Sequence, residues 1–330
     1  MAINQKIFWM WALPLEKDSN KHIRHYIVSE FEWCKNVDVT FLQASDYQKI
    51  LKLDLNESIV VVFGSFFNPE FDIYSLVHSI KSQSISTTTV VWLTDDPYEF
   101  DRNFHLPHVF DLVITNDESS RYYYYADNVK HLALAAAYHD VDKIENSTVQ
   151  EKEWDLVFCG VGFPNRNRII EGLNPILKQY STLIIGPDWT QNALNGLSWI
   201  PKVDYYQLVN IYNSSKIALG LSREYDLANS MFSIQASTPA PRIFELAALG
   251  IPQAIYFDRP DILQYFERDE LILFDSYDSF ETNIDAYLSN MSSLNLTDLS
   301  ARARSKVLSR HLYRHRINDL ISFAVSRYEN

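Results

Sequence analysis

The sequence predicts an α/β protein made of two Rossmann-like domains, each a parallel sheet covered by helices. Three observations predict it. Short β-rich apolar runs alternate with amphipathic helical stretches along the whole chain. The strand candidates read as continuous apolar runs, as strands do when a parallel sheet is buried on both faces. The alternation also occurs twice, on either side of the polar, aperiodic stretch Asp140–Lys152, DVDKIENSTVQEK. At 330 residues the chain holds two domains of ordinary size, each able to bury a full core.

In the first half the strand candidates are Ile7–Ala12, Val37–Leu42, Ile59–Phe63, Thr89–Leu93, Leu112–Thr115 and Val129–Leu134. Helical patterns between them include His22–Cys34 and Ile73–Ser82. The four tyrosines Tyr122–Tyr125 read as a half-buried wall, since any regular element sends them to different faces. In the second half the strands are Leu156–Cys159, Thr182–Ile185, Ile217–Leu221, Gln253–Phe257 and Leu271–Phe274. Helices there are Arg166–Gln179, Tyr205–Asn213, Ala240–Leu249, Phe280–Leu288 and Leu299–Val325, the last with a break near His311. The expected division is 1–140, a linker over 141–153, and 154–311.

Composition narrows the function. Hydrophobic residues make up 47% and charged residues 22%, which excludes a disordered or fibrous chain. The net charge of −13 disfavours nucleic acid and anionic membranes as partners. No apolar run is long enough to span a membrane. Cys34 and Cys159 are the only cysteines, so a disulfide framework or cysteine-based zinc site is excluded and a cytoplasmic location is expected. The eight glycines form neither a Walker A loop nor a GxGxxG fingerprint.

Ligands of open α/β sheets bind outside the carboxyl ends of the strands. The most informative segment near such an end is Ser237–Pro252, STPAPRIFELAALGIP. Ser237 or Thr238 is placed to cap a helix, Pro239 or Pro241 suits its first turn, and Gly250 closes it before Pro252. Arg242 and Glu245 lie three apart and share a face. A helix N-terminus with an arginine fork suits phosphate, and a carboxylate beside it suits a cis-diol such as a ribose. The same spacing also describes an ordinary surface ion pair.

The segment R-x-F-E-x-x-A-x-G resembles the donor-site helix of GT-B glycosyltransferases, specifically the group 1 domain of CgeB-type spore-maturation proteins. Trp154–Gly160 (WDLVFCG) followed by Asn165–Arg168 (NRNR) is similar to that domain's opening strand, turn and arginine. Leu183–Trp189 (LIIGPDW), Ile211–Leu221 (IYNSSKIALGL) and His311–Arg316 (HLYRHR) resemble later family segments. Val91–Pro97 (VWLTDDP) and Phe110–Thr115 (FDLVIT) resemble the companion N-terminal domain. The resemblance spans most of 55–325. The loop Arg223–Gln235 departs from the family pattern in being long.

This resemblance implies a GT-B fold, two Rossmann-like domains facing across a cleft, with helix 312–330 packing back on the first domain through Ile317, Leu320, Ile321 and Val325. It implies transfer of a sugar from a nucleotide-activated donor to an acceptor hydroxyl, with no cofactor and no metal. Glu245 would hold the donor ribose, and Arg242 and Thr238 would lie near the diphosphate. Gly160 and Gly162 would let backbone approach the phosphates, and Asn165, Arg166 and Arg168 would supply polar and positive groups. Asp95 and Asp96, at a strand end, and His139, beside the linker, are the candidate acid–base residues. Asp-Asp-Pro is also ordinary turn chemistry. The alternative is a non-catalytic nucleotide-sugar binder or structural protein of an envelope or spore-coat pathway. Asp140-Val-Asp142 and the His311/His315 pair are weak metal signals, lacking further ligands nearby.

Overall fold

The structure is a computed structural model that describes residues 5–18, 20–66, 70–138, 152–224, 226–289 and 295–326. The chain divides into two compact units. The first comprises Met1–Ala137, Asp226–Thr238 and Leu312–Asn330; the second comprises Tyr138–Tyr225 and Pro239–His311.

The first unit is built on β1 (Gln5–Trp11), β2 (Val37–Gln43), β3 (Ser58–Gly64), β4 (Thr88–Leu93), β5 (Leu112–Thr115) and β6 (Val129–His131). They pair in parallel in the order β2-β1-β3-β4-β5-β6. Helices α1 (Lys21–Phe31), α2 (Ile73–Gln83), α3 (Phe100–Asn103) and α4 (Glu118–Tyr123), with 3-10 turns at Ala44–Lys52 and Leu106–His108, connect them. The strands are apolar on both faces because both faces are covered. Along β1, Ile7, Trp9 and Trp11 enter one core cluster while Phe8, Met10 and Ala12 enter the opposite one. The order reverses between β1 and β3, so the switch point where ligands of such sheets bind lies at Ala12 and Gly64.

The second unit contains β7 (Trp154–Cys159), β8 (Thr182–Ile185), β9 (Ser198–Ile200), β10 (Ser215–Gly220), β11 (Gln253–Tyr256) and β12 (Ile272–Phe274). Their parallel order is β12-β11-β10-β7-β8-β9, the dinucleotide-fold order with its switch point between β7 and β10. The helices are α5 (Pro164–Leu177), α6 (Gln191–Leu194), α7 (Tyr205–Asn213), α8 (Pro241–Ala248), α9 (Ile262–Tyr265), α10 (Tyr277–Leu288) and α11 (Leu296–Arg310). Edge strand β9 escapes the sequence reading because its three residues, Ser-Trp-Ile, are too few and too exposed to show a period.

The last helix, α12 (Tyr313–Ser326), belongs to the first unit. Tyr313, Ile317, Leu320 and Ala324 share a core with Ile23, Ile27 and Phe31 of α1. The buried stripe is thus shifted from the expected one: Ile321 is half-buried and Val325 is 41% exposed. Arg314 Nε donates to the fully buried Glu30 Oε2 at 2.5 Å, and Arg316 Nε donates to Ala133 O at 3.0 Å. The basic residues just before α12 serve the second unit. On α11, Arg302 pairs with Asp269, and Lys306 with Glu267 and Glu270.

Asp226–Thr238 departs from the expected division. This segment, inside the span assigned to the C-terminal domain, belongs to the first unit. Phe232 and Ile234 join the cluster that holds Phe100 and Tyr124.

Candidate functional site

In the second unit the switch point is closed by Arg166, on the first turn of α5. Its Nε and Nη2 donate to Leu221 O at 3.2 and 3.0 Å, just beyond β10. Its Nη1 donates to Val161 O at 3.1 Å, just beyond β7. The guanidinium also lies over the rings of Phe158 and Phe163. Beside it, Asn165 is buried and donates from Nδ2 to Ser222 O at 2.9 Å. Its buried Oδ1 has no partner among the described residues. Arg168 is exposed, two positions and hence about 200° around the helix from Arg166.

Gly160 and Gly162 are closely packed. A Cβ on Gly162 would lie 2.5 Å from Asp188 O, and one on Gly160 would lie 3.0 Å from both Arg166 and the Phe158 ring. Their missing side chains are required by the packing of the β7 loop on its surroundings. Asn167, absent from the sequence expectations, joins that loop to the next. It donates to Gly162 O and to Asp188 O and accepts from Thr190 N at 2.8 Å. Trp189 Nε1 donates to Gly160 O at 3.1 Å.

Helix α8 starts after Ala240, whose extended ψ of 149° makes it the cap, with Pro241 at the first helical position. Neither Ser237 nor Thr238 caps it. Thr238 lies in the first unit instead, buried, with its Oγ1 accepting from Glu118 N at 3.0 Å. Arg242 Nη1 lies 3.2 Å from Glu245 Oε2, and Glu245 is 5% exposed while the Arg242 side chain is 38% exposed. The pair is therefore half inside the protein, with the carboxylate inward.

Cys159, at the end of β7, connects these parts. Burial raises its thiol pKa, while Arg242 and Arg166 lower it and Glu245 raises it further. Tyr212 of α7 is hydrogen-bonded to Cys159, and burial holds its phenol well above the usual range. Ser222 Oγ donates to Asp258 Oδ1 at 2.7 Å, and Arg259 donates to Arg223 O at 2.7 Å, adding a polar rim beyond β10 and β11. Cys159, Tyr212 and Asp258 carried no sequence signal, because each is brought in by a different strand or helix.

In the first unit the two candidate aspartates separate. Asp96 is 1% exposed, and its carboxylate accepts from Asn103 Nδ2, Thr115 Oγ1 and Tyr124 OH at 2.7–2.8 Å. Burial raises its pKa against those three donors. An enclosed, saturated carboxylate organises the β4 and β5 loops and is not placed to take a proton from an acceptor. Asp95 is half-buried, its Oδ2 accepting from Asn20 Nδ2 at 3.2 Å and Thr94 Oγ1 at 3.0 Å. Glu99, unforeseen from sequence, accepts from Ser65 Oγ at 2.6 Å and Phe66 N at 3.0 Å. Burial and the charge of Asp95 push it up to about 7. His139 and Asp140-Val-Asp142 lie outside the described residues.

Residues 166–322 match the family model described as glycosyl transferase-like. The spore protein CgeB of Bacillus subtilis is 22% identical over 170 residues, covering 48% of this chain; the chain spans about half, 52%, of that protein's length. Among solved structures, AviGT4, a glycosyltransferase involved in avilamycin A biosynthesis, superposes with a TM-score of 0.61 at 11% identity, covering 97% of both chains. HepE from Anabaena in complex with UDP gives 0.59 at 11% identity, covering 98% of this chain and 100% of that one. T4 phage BGT in complex with UDP-glucose gives 0.56 at 10% identity, covering 97% of this chain and 99% of that one. No helix among the described residues is long and apolar enough to cross a membrane. Residues 166–322 are thus similar to a glycosyl transferase-like domain, in a chain with the GT-B fold.

Proposed function

We propose that the protein is a cytoplasmic glycosyltransferase that moves a sugar from a nucleotide-activated donor to an acceptor hydroxyl, without a metal ion. The observation that carries this reading is the Arg242–Glu245 pair at the start of α8, its carboxylate buried, in the unit whose switch-point loops Arg166 holds. Glu245 accepts hydrogen bonds from the donor ribose. Arg242 and the N-terminus of α8 stabilise the negative charge that develops on the nucleoside diphosphate as its bond to the sugar breaks. Arg166 adds positive charge while its N–H groups hold the loops. The buried Oδ1 of Asn165 is available to a ligand donor. Asp95 accepts the acceptor hydroxyl's proton as oxygen bonds to the anomeric carbon.

The relatives of this fold hold UDP or UDP-glucose, which puts uridine nucleotides first in the test. A DNA-modifying β-glucosyltransferase shares the fold, but the net charge of −13 argues against a DNA acceptor here. A thermal-shift panel of UDP, GDP, ADP, CDP and dTDP with their glucose conjugates tests the reading. A ligand at 100 times its dissociation constant stabilises by about 2.7 kcal/mol. Donor turnover measured with and without EDTA then tests metal independence, the expected result being equal rates. Binding of a nucleotide sugar with neither transfer nor hydrolysis would favour the non-catalytic binder.

A further inference from the structure

A continuous row of aromatic rings crosses the surface of the first unit. Tyr74, on the first turn of α2, stacks on His105 with centroids 5.8 Å apart and planes 26° apart. His105 meets Phe104 edge-on at 5.9 Å, and Phe104 meets Phe232 at 5.5 Å. Phe232 in turn packs edge-on against the buried Phe100 at 4.9 Å, as Tyr123 of α4 does at 6.3 Å. Tyr74, Phe104, Tyr123 and the neighbouring Met231 are exposed. Met231 and Phe232 lie on Asp226–Thr238, which belongs to the same unit. That segment is pinned to the loop and helix after β4. Leu227 N and Ala228 N donate to Tyr98 O at 3.0 and 2.7 Å, Asp101 N donates to Ala228 O at 2.8 Å, and Met231 N donates to Asp101 Oδ2 at 2.9 Å.

Contiguous exposed apolar surface marks an interaction site. The chemistry and position of the row say what covers it. Its rings carry polar handles, the phenol groups of Tyr74 and Tyr123 and the imidazole of His105. Burial, helped by the neighbouring His108, lowers the His105 pKa, so at neutral pH its ring is uncharged and offers one donor and one acceptor. The row also begins at the carboxyl side of the sheet, where ligands of such sheets bind: α2 follows β3, and Phe100 directly follows Glu99 in the loop after β4. A sugar ring has the matching two-sided chemistry. Its face of polarised C–H groups is attracted by the negative face of an aromatic ring, and its rim of hydroxyls meets the polar handles.

We propose that this row is a saccharide platform, on which a carbohydrate chain lies with the C–H faces of its sugar units against Tyr74 and Phe104. The choice of a sugar as occupant rests on the glycosyltransferase reading, because an enzyme that hands a sugar to a hydroxyl must hold a molecule that bears one. The platform itself involves the first unit alone, so its binding is read without a donor.

Maltohexaose, cellohexaose and chitohexaose are titrated calorimetrically into wild type, Tyr74→Ala, Phe104→Ala and Tyr206→Ala, the last an exposed tyrosine of the second unit. At least one of the three sugars is expected to bind wild type and Tyr206→Ala equally, and to bind Tyr74→Ala and Phe104→Ala about fivefold more weakly or worse. NMR saturation of the protein's aromatic protons should then transfer most strongly to the C–H protons of the sugar rings. Binding of none of the three overturns the platform, and so does equal binding by wild type and both ring variants. Sedimentation velocity reads the other occupant: a wild-type dimer that both ring variants dissociate, with no saccharide bound, makes the row a self-association surface and overturns the platform too. UDP, GDP, ADP, CDP and dTDP are titrated into the same samples. A nucleotide bound without any saccharide removes the platform and leaves the glycosyltransferase reading; a saccharide bound through the rings without any nucleotide does the reverse. Amide exchange of β3 and β4 checks that each variant is folded, and should one ring variant not fold, the other decides.

Discussion

Asp95 and Asp96 are adjacent in sequence and have opposite surroundings. Asp96 turns into the sheet's end and accepts from Asn103, Thr115 and Tyr124, whereas Asp95 stays half-exposed. Tyr124 likewise separates from its neighbours: Tyr122 is 61% exposed and Tyr124 is 7% exposed. Arg242 and Glu245 were legible as a pair from their spacing, but spacing carries no information on depth. The structure buries the carboxylate and leaves the guanidinium partly outside. Glu245→Gln is therefore expected to weaken nucleoside diphosphate binding about tenfold or more, since hydrogen bonds to a charged acceptor are worth about 1.5–3 kcal/mol each. Calorimetric titration of wild type and variant checks it. Equal affinities, with a small stability loss, would make the pair an ordinary helix ion pair.

At the scale of elements, α5 shows how one residue joins several. Its N-terminal turn places Arg166 against carbonyls that follow β7 and β10, so the arginine fixes the ends of two adjacent strands. Lysine cannot reproduce a planar fork. Arg166→Lys is expected to destabilise the protein by about 1–3 kcal/mol, the cost of leaving such carbonyls without donors. On the proposed function it should also raise the donor KM more than it lowers kcat. Urea unfolding and steady-state kinetics read the two effects. A variant of wild-type stability would show that Arg166 does not hold these loops together. The repeated strand–helix alternation, α7 at Tyr205–Asn213 and the break before α12 were visible from periodicity and caps. The register of α12's buried stripe was not, since Tyr313, Ile317, Ile321 and Val325 obey the same spacing and only the partner helix selects among faces.

For the whole molecule, three carboxyl groups of the first unit, Asp96, Glu99 and Asp117, have raised pKa values, in each case mainly through burial. Glu99 gives the clearest consequence. Unfolded, it releases its proton near 4.5; folded, near 7. Between those values the folded protein binds more protons, so this contribution to stability is complete below 4.5 and is lost as pH rises through about 7. Wild type should lose stability relative to Glu99→Gln between about pH 5 and about pH 8, read as the difference between their urea midpoints. Parallel midpoints across that range would remove Glu99 as the source.

The sequence by itself determined the α/β class and the doubled parallel-sheet pattern. Those follow from local periodicity and from runs of apolar residues that only a doubly covered sheet can bury. Only the tertiary structure decided which neighbours in sequence share an environment. It enclosed Asp96 and not Asp95, packed Gly160 and Gly162 closely against their surroundings, and joined Tyr212 to Cys159. It also gave Asp226–Thr238 to the first unit. Burial and hydrogen-bond partners at a strand end come from chain segments tens of residues apart, so no local pattern records them.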